Sequence, residues 1–330
     1  MKKKIFKWTK RVLLSLVALL FVLLIIGFTY EQMARSNISD QYKPTGELLD
    51  IGGRNLHYVK KGSGSPTVVF EAGLDAQGHL AFEGIRNGLT RNVTTITYDR
   101  AGILFSEEDT EPKSLSNMTN DLWNLLKKTN CPKPYILVGH SFAGITLRKF
   151  IRDHKEDIQG VVFVDVSHPD QMNRMPDQVK EMMKPPPSFL IKLMNNFGIN
   201  RMFINKYDPD NASESTILAN DLMHKSLVGM MDEMNSIEVL ANEAAEINDF
   251  GDIPLIVITG THPNRNDVLP IEELRDEMGE IWNQMQKDLL NLSTNSVHIV
   301  APKSGHYVQS DQPDLVIKAI QDLMEPGPRK

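Results

Sequence analysis

Hydrophobic and polar positions divide the chain into two regimes. Residues 12–28 (VLLSLVALLFVLLIIGF) form one apolar run of seventeen residues in which Ser15 is the sole polar side chain. At 1.5 Å per residue a helix of that length reaches roughly 26 Å, close to the hydrocarbon core of a bilayer. Past residue 46 the pattern changes to short β-rich runs alternating with longer helix-like segments. The short runs predict strands at 48–51, 55–60, 67–71, 93–98, 135–138, 161–165, 255–259 and 297–300. The longer ones predict helices at 79–90, 114–129, 142–153, 271–292 and 313–324. The first two strands flank Gly52-Gly53 and are expected to pair as a hairpin; the others are apolar at nearly every position, as strands covered on both faces are. Strand and helix in alternation predict an α/β fold, with a mainly parallel eight-stranded sheet flanked by helices.

One interval breaks the alternation. Between Asp165 and Leu255 the chain is far longer than a crossover needs, so residues 166–250 are expected to form a helical lid inserted after the sixth strand. Ten of the sixteen methionines fall there: Met172, Met175, Met182, Met183, Met194, Met202, Met223, Met230, Met231 and Met234. Such a lid either adapts to apolar ligands of varied shape or uses its methionines to fill contacts between its own helices.

Charge sharpens the division. Residues 1–30 carry six cations (Lys2, Lys3, Lys4, Lys7, Lys10, Arg11) and no acid, which leaves 30 basic against 42 acidic residues in the remainder. A basic start before an apolar helix with no small-x-small cleavage site reads as an uncleaved transmembrane signal anchor, a cleaved signal peptide being the alternative. The positive-inside rule then puts residue 1 in the cytoplasm and the bulk of the chain on the far side. Residues 31–46 are polar and aperiodic and are expected to form a tether, residues 47–325 a single domain, and residues 326–330 a tail. An acidic body with 7% aromatics argues against a nucleic-acid partner. Cys131 is the only cysteine, which excludes an intramolecular disulfide and every cysteine-based zinc pattern. No two histidines have the spacing of a helical ligand pair, so neither metal nor cofactor is expected.

Candidate chemistry lies in Val138-Gly139-His140-Ser141-Phe142-Ala143-Gly144, where a predicted strand runs into a predicted helix. A serine there sits on a tight turn whose small flanking residues leave room for a strained backbone, and its Oγ projects above the sheet at the positive end of a helix. Ala143 stands where a second glycine is usual, and Gly144 follows it. A base for this serine is available in Ser304-Gly305-His306-Tyr307, after the last strand.

In this order the elements resemble the α/β-hydrolase superfamily, over nearly all of residues 47–325. The resemblance rests on Glu71-Ala72-Gly73, Tyr98-Asp99-Arg100-Ala101-Gly102, the Ser141 turn, Val164-Asp165 and Gly305-His306. It implies a Ser141 nucleophile, a His306 base and an oxyanion hole from the backbone N–H groups of Phe142 and Leu74. His140 is expected to pack beside the site without catalysing. The acid has two candidates. Most relatives carry it after the seventh strand, but Thr261-His262-Pro263-Asn264 offers none there; Asp267 is displaced by several residues, and Asp165 stands at the end of the sixth strand, a position other members use. Asp165 is favoured because a strand end positions a side chain more firmly than a loop. Asp99-Arg100 reads as a structural turn, and Ile103, Leu104 and Phe105 after it are expected to add apolar surface near the entrance.

The resemblance implies a serine hydrolase of carboxylic esters, acting on a small acyl substrate through an acyl-enzyme. Peptidase, lactonase, thioesterase or acyltransferase activity on the same fold stays open, as does a membrane-tethered binding protein without turnover.

Overall fold

The computed structural model describes residues 2–89, 93–109, 111–203, 213–267 and 269–325. The predicted tail, 326–330, lies outside the described residues. Eight strands form one mixed sheet: β1 (Glu47–Asp50), β2 (Asn55–Lys61), β3 (Thr67–Glu71), β4 (Thr94–Tyr98), β5 (Tyr135–His140), β6 (Ile158–Val164), β7 (Leu255–Gly260) and β8 (Ser296–Ala301). Their order is β1-β2-β4-β3-β5-β6-β7-β8. The β1–β2 hairpin and the β2–β4 pairing are antiparallel, and every later pairing is parallel.

The period of two explains why the central strands read as continuous apolar runs. Leu137, Val161, Phe163, Leu255 and Val257 point to one face, under helices Leu115–Lys128 and Ala143–Asp153. Ile136, Val138, Val162, Val164, Ile256 and Ile258 point to the other, where Val316, Ala319, Ile320 and Leu323 of helix Pro313–Met324 cover them. Both sets are buried, so neither face presents the polar alternation of a half-exposed sheet. In register, His140 pairs with Val164, Val164 with Ile258 and Gly260 with Ala301, which aligns the carboxyl ends of β5 to β8 along one edge. In open α/β sheets that edge is where chemistry collects.

Short helices fill the interval between β6 and β7, among them Asp177–Met183, Ser188–Asn196, Ile199–Phe203, Met223–Asn235 and Ile237–Ala245. They settle onto the carboxyl edge of the sheet. Ile103 and Leu104 are buried there with Leu80, Ala219 and Leu222, so this apolar loop seats the lid instead of lining an entrance. Gly102 and Gly229 meet face to face, since a Cβ on Gly229 would lie 2.3 Å from the Gly102 carbonyl oxygen. Met175 and partly buried Met183 pack against Leu274, Met278 and Trp282, which is the contact-filling use of methionine.

The N-terminal helix corrects the expected tether. It runs from Lys2 to Gln41, so residues 31–41 are helical. Their polar side chains bind the lid: Arg201 Nε donates to Glu31 Oε2 at 2.7 Å, Arg35 Nη2 to the Asn195 carbonyl at 2.9 Å, and Tyr42 just beyond the helix to Asp221 at 2.8 Å. This helix is long and apolar enough to cross a membrane.

Candidate active site

Ser141 takes a left-handed backbone (φ 51°) between β5 and the helix Ala143–Asp153. Such a φ costs an ordinary side chain of order 1–2 kcal/mol, and the surroundings hold it in place. The Ser141 carbonyl accepts from Ser167 N at 2.6 Å and Gly144 N at 3.1 Å. A Cβ on Gly139 would stand 2.6 Å from the Ala143 methyl, and one on Gly144 would stand 2.3 Å from the Ser167 carbonyl oxygen. Alanine is therefore tolerated at 143 because position 139 has no side chain.

Three side chains meet along the carboxyl edge. Ser141 Oγ and His306 Nε2 are 2.9 Å apart, and His306 Nδ1 lies 2.6 Å from Asp165 Oδ2. With Nδ1–H donating to the carboxylate, Nε2 is left to accept the hydroxyl proton. Close backbone packing delivers the histidine. A Cβ on Gly260 would fall 1.7 Å from the Gly305 carbonyl oxygen, so glycine at the end of β7 lets the His306 loop lie flat against the sheet. His140 Nε2–H donates to the His306 carbonyl at 2.9 Å, fixing the loop from below. Burial and the neighbouring His306 lower the His140 pKa to about 3, so it stays neutral. His306 keeps 28% of its side chain exposed while Asp165 is fully buried, so solvent reaches the imidazole but not the carboxylate.

Asp267, the alternative acid, stays away. Its carboxylate is 61% exposed and pairs with Arg275 at 3.6 Å. Phe142 and Leu74 flank Ser141, and their backbone N–H groups have no partner among the described residues. Gly73 brings the second loop close, since a Cβ there would stand 3.0 Å from Ser141 Cβ.

Comparisons with known proteins bear on the fold. An α/β-hydrolase fold family model matches residues 66–203. The chain has the α/β-hydrolase fold. Its solved neighbours include the Cif epoxide hydrolase of Acinetobacter nosocomialis, at TM-score 0.64 and 18% identity over 90% of this chain and 97% of that one. The esterase EaEST of Exiguobacterium antarcticum aligns at TM-score 0.62 and 15% identity over 85% of this chain and all of that one, and an enol-lactonase of Burkholderia xenovorans is also among them. Among curated proteins, the "Probable transporter efuK" of Hormonema carpetanum is 27% identical over 84% of this chain. The chain spans about half the length of the first curated relatives it matches, 42% and 52%.

Two cations of this α/β-hydrolase-fold chain were not foreseen. Arg265, after β7, donates from Nη1 to Asp165 Oδ1 at 2.8 Å and from Nη2 to Oδ2. Gly260 N at 3.1 Å and Trp282 Nε1 at 3.2 Å also donate to Oδ1. Burial alone would raise the Asp165 pKa, but Arg265 and then His306 overcome it and hold the carboxyl at about 2. A depressed carboxyl stabilises the folded state above its unfolded pKa, and that stability is lost as pH falls through about 2. Arg265→Gln is accordingly expected to cost about 2 kcal/mol at pH 7, with the gap from wild type largely closed at about pH 2. Urea unfolding at both pH values checks this; an equal cost at each would show that Arg265 acts through packing instead.

Arg100 is the second. It donates to the Ala72 carbonyl at 2.6 Å, the Gly73 carbonyl at 2.7 Å and Glu71 Oε1 at 3.1 Å. From the lid, Glu233 receives its Nε at 2.7 Å and its Nη2 at 2.8 Å. A trans peptide directs N–H opposite to C=O, so anchoring the Gly73 carbonyl on Arg100 aims the Leu74 N–H away from Arg100.

Asp99, its neighbour, takes His57 Nδ1 and His79 Nδ1, both at 2.8 Å. These three groups have ligand atoms within 4.8 Å of one another. Each ring nitrogen is already engaged, His57 Nε2 accepting from Gly46 N at 3.1 Å and His79 Nε2 facing Thr45 Oγ1 at 3.4 Å. The cluster is a hydrogen-bonded knot that ties the end of the N-terminal segment to β2 and β4.

Proposed function

We propose that this chain is a membrane-anchored serine hydrolase that cleaves carboxylic esters through an acyl-enzyme on Ser141. One observation carries the reading: a hydroxyl, an imidazole and a buried carboxylate are hydrogen-bonded in series at 2.9 and 2.6 Å. His306 takes the Ser141 proton as Oγ attacks the acyl carbonyl, and returns it to the departing alcohol. Asp165 keeps Nδ1–H pointed at itself and offsets the charge on the imidazolium. The Phe142 and Leu74 N–H groups receive the oxyanion, each such donor contributing about 10²- to 10³-fold in rate. Water then repeats the sequence on the acyl-enzyme.

Esters are favoured over epoxides because the turn holds a serine, whereas epoxide opening in this superfamily uses a carboxylate there. The N-terminal helix supports the anchor, and its cationic start supports a hydrolase domain outside the cytoplasm. A panel of acyl esters graded in chain length, run beside styrene oxide, tests the reading. Turnover of esters but not of the epoxide is expected; the reverse would move the chain to another chemistry.

A further inference from the structure

The apolar stretch of the N-terminal helix does not end in free solvent. At Gly27 a Cβ would lie 2.5 Å from the Phe197 carbonyl oxygen, and the Phe28 and Phe197 rings stand 6.3 Å apart. One turn later Glu31, 1% exposed, is held by Arg35 at 2.8 Å and Arg201 at 2.7 Å. A buried carboxylate with two arginine partners is a joint that is costly to open, since breaking such a pair leaves an uncompensated charge. The lid segment around Phe197 is therefore fixed at the level where the apolar stretch meets its polar continuation.

Two lid helices flank that joint, Ser188–Asn196 and Ile199–Phe203. Each buries one polar side chain, Asn195 and Asn200, and turns large apolar ones outward. Phe189 is 74% exposed and Leu193, four residues on along the same face, 51%; Met202 and Phe203 are 81% and 74% exposed. A cluster of apolar side chains this open is unfavourable in water and marks a surface that meets something apolar.

We infer that this lid face, Phe189, Leu193, Met202 and Phe203, is a membrane-docking surface that lies in the lipid interface beside the anchor helix. The inference rests on the anchor reading above. Its occupant is the phospholipid bilayer, because the face continues the surface of the helix that crosses it and the Glu31 joint fixes the two relative to each other. The same lid reaches the candidate site. Asn195 Nδ2 donates to the His224 carbonyl of helix Met223–Asn235 at 2.7 Å, and Glu233 of that helix holds Arg100. A lid seated on the bilayer places the site within reach of acyl esters that reside in the membrane.

The full chain with Cys131→Ala, carrying a single cysteine at Leu16, Leu193 or Val297, each labelled with an environment-sensitive dye, tests this in vesicles of phosphatidylcholine and phosphatidylglycerol. All three positions are exposed, so labelling leaves the core untouched. Lipids spin-labelled on the acyl chain are expected to quench the dyes at 16 and 193 to a comparable extent and to spare the dye at 297. Quenching at 16 with position 193 as unquenched as 297 overturns the docking surface and leaves the anchor standing. Absence of quenching at 16 overturns the anchor, and the docking surface with it.

Discussion

Asparagine in place of Asp165 is expected to lower turnover about 10³- to 10⁴-fold with little change in KM, the scale seen when a triad acid loses its charge but keeps its shape. The hydrogen bonds around this side chain say why. Oδ1 receives three donors, from Gly260, Arg265 and Trp282, and Oδ2 receives Arg265 and His306. An amide has one acceptor oxygen, and three donors claim it on the Oδ1 side. Its NH2 then faces His306, which must accept at Nδ1 and carry its proton on Nε2. In that tautomer His306 cannot take the Ser141 proton. Asp267→Asn is expected to leave turnover within about twofold, because its exposed ion pair with Arg275 is remote from the chemistry. Steady-state rates on a short acyl ester, with folding checked by circular dichroism, compare the two. A large loss in Asp267→Asn beside a small one in Asp165→Asn would exchange their roles.

Removing the nucleophile should cost more. Ser141→Ala is expected to reduce kcat by about 10⁵- to 10⁶-fold, His306→Ala by a similar factor, and the double variant by no more than either. The two groups act as one unit, joined by a single 2.9 Å hydrogen bond, so once either is absent the other has nothing to do. Residual turnover above the solution rate would come from the Phe142 and Leu74 N–H groups and from substrate positioning. Losses that multiply in the double variant would mean that Ser141 and His306 act independently.

How much of this was legible before the structure depends on whether a feature leaves a local trace. The strands did, because β5, β6 and β7 bury both faces and so appear as apolar runs bounded by turn residues. The Ser141 turn did as well, through the small residues that its positive φ and close packing demand. The place of Asp165 just past β6 was legible too, because Val164-Asp165 closes an apolar run.

Long-range ion pairs left no such trace. Arg100 and Glu233 meet across 133 positions, and no spacing in the chain connects them. Arg265 was nearer to view: Thr261-His262-Pro263-Asn264 after Gly260 lacks a carboxylate, and a cation stands at the next position. The helical extent of residues 31–41 was hidden for a different reason. Their contacts with the lid come from Glu31 and Arg35, with Ile38 as a single apolar member, so no apolar stripe marks the packed face.

Acyl transfer through Ser141 requires a covalent bond to its Oγ. The most direct measurement mixes the full chain with a short activated acetyl ester, quenches in acid within milliseconds, and maps the acetyl group by peptide mass spectrometry. Acetylation confined to the peptide carrying Ser141, absent in Ser141→Ala and trapped longer in Asp165→Asn, is the predicted result. Ester turnover with no acyl group on Ser141 at any time would contradict it.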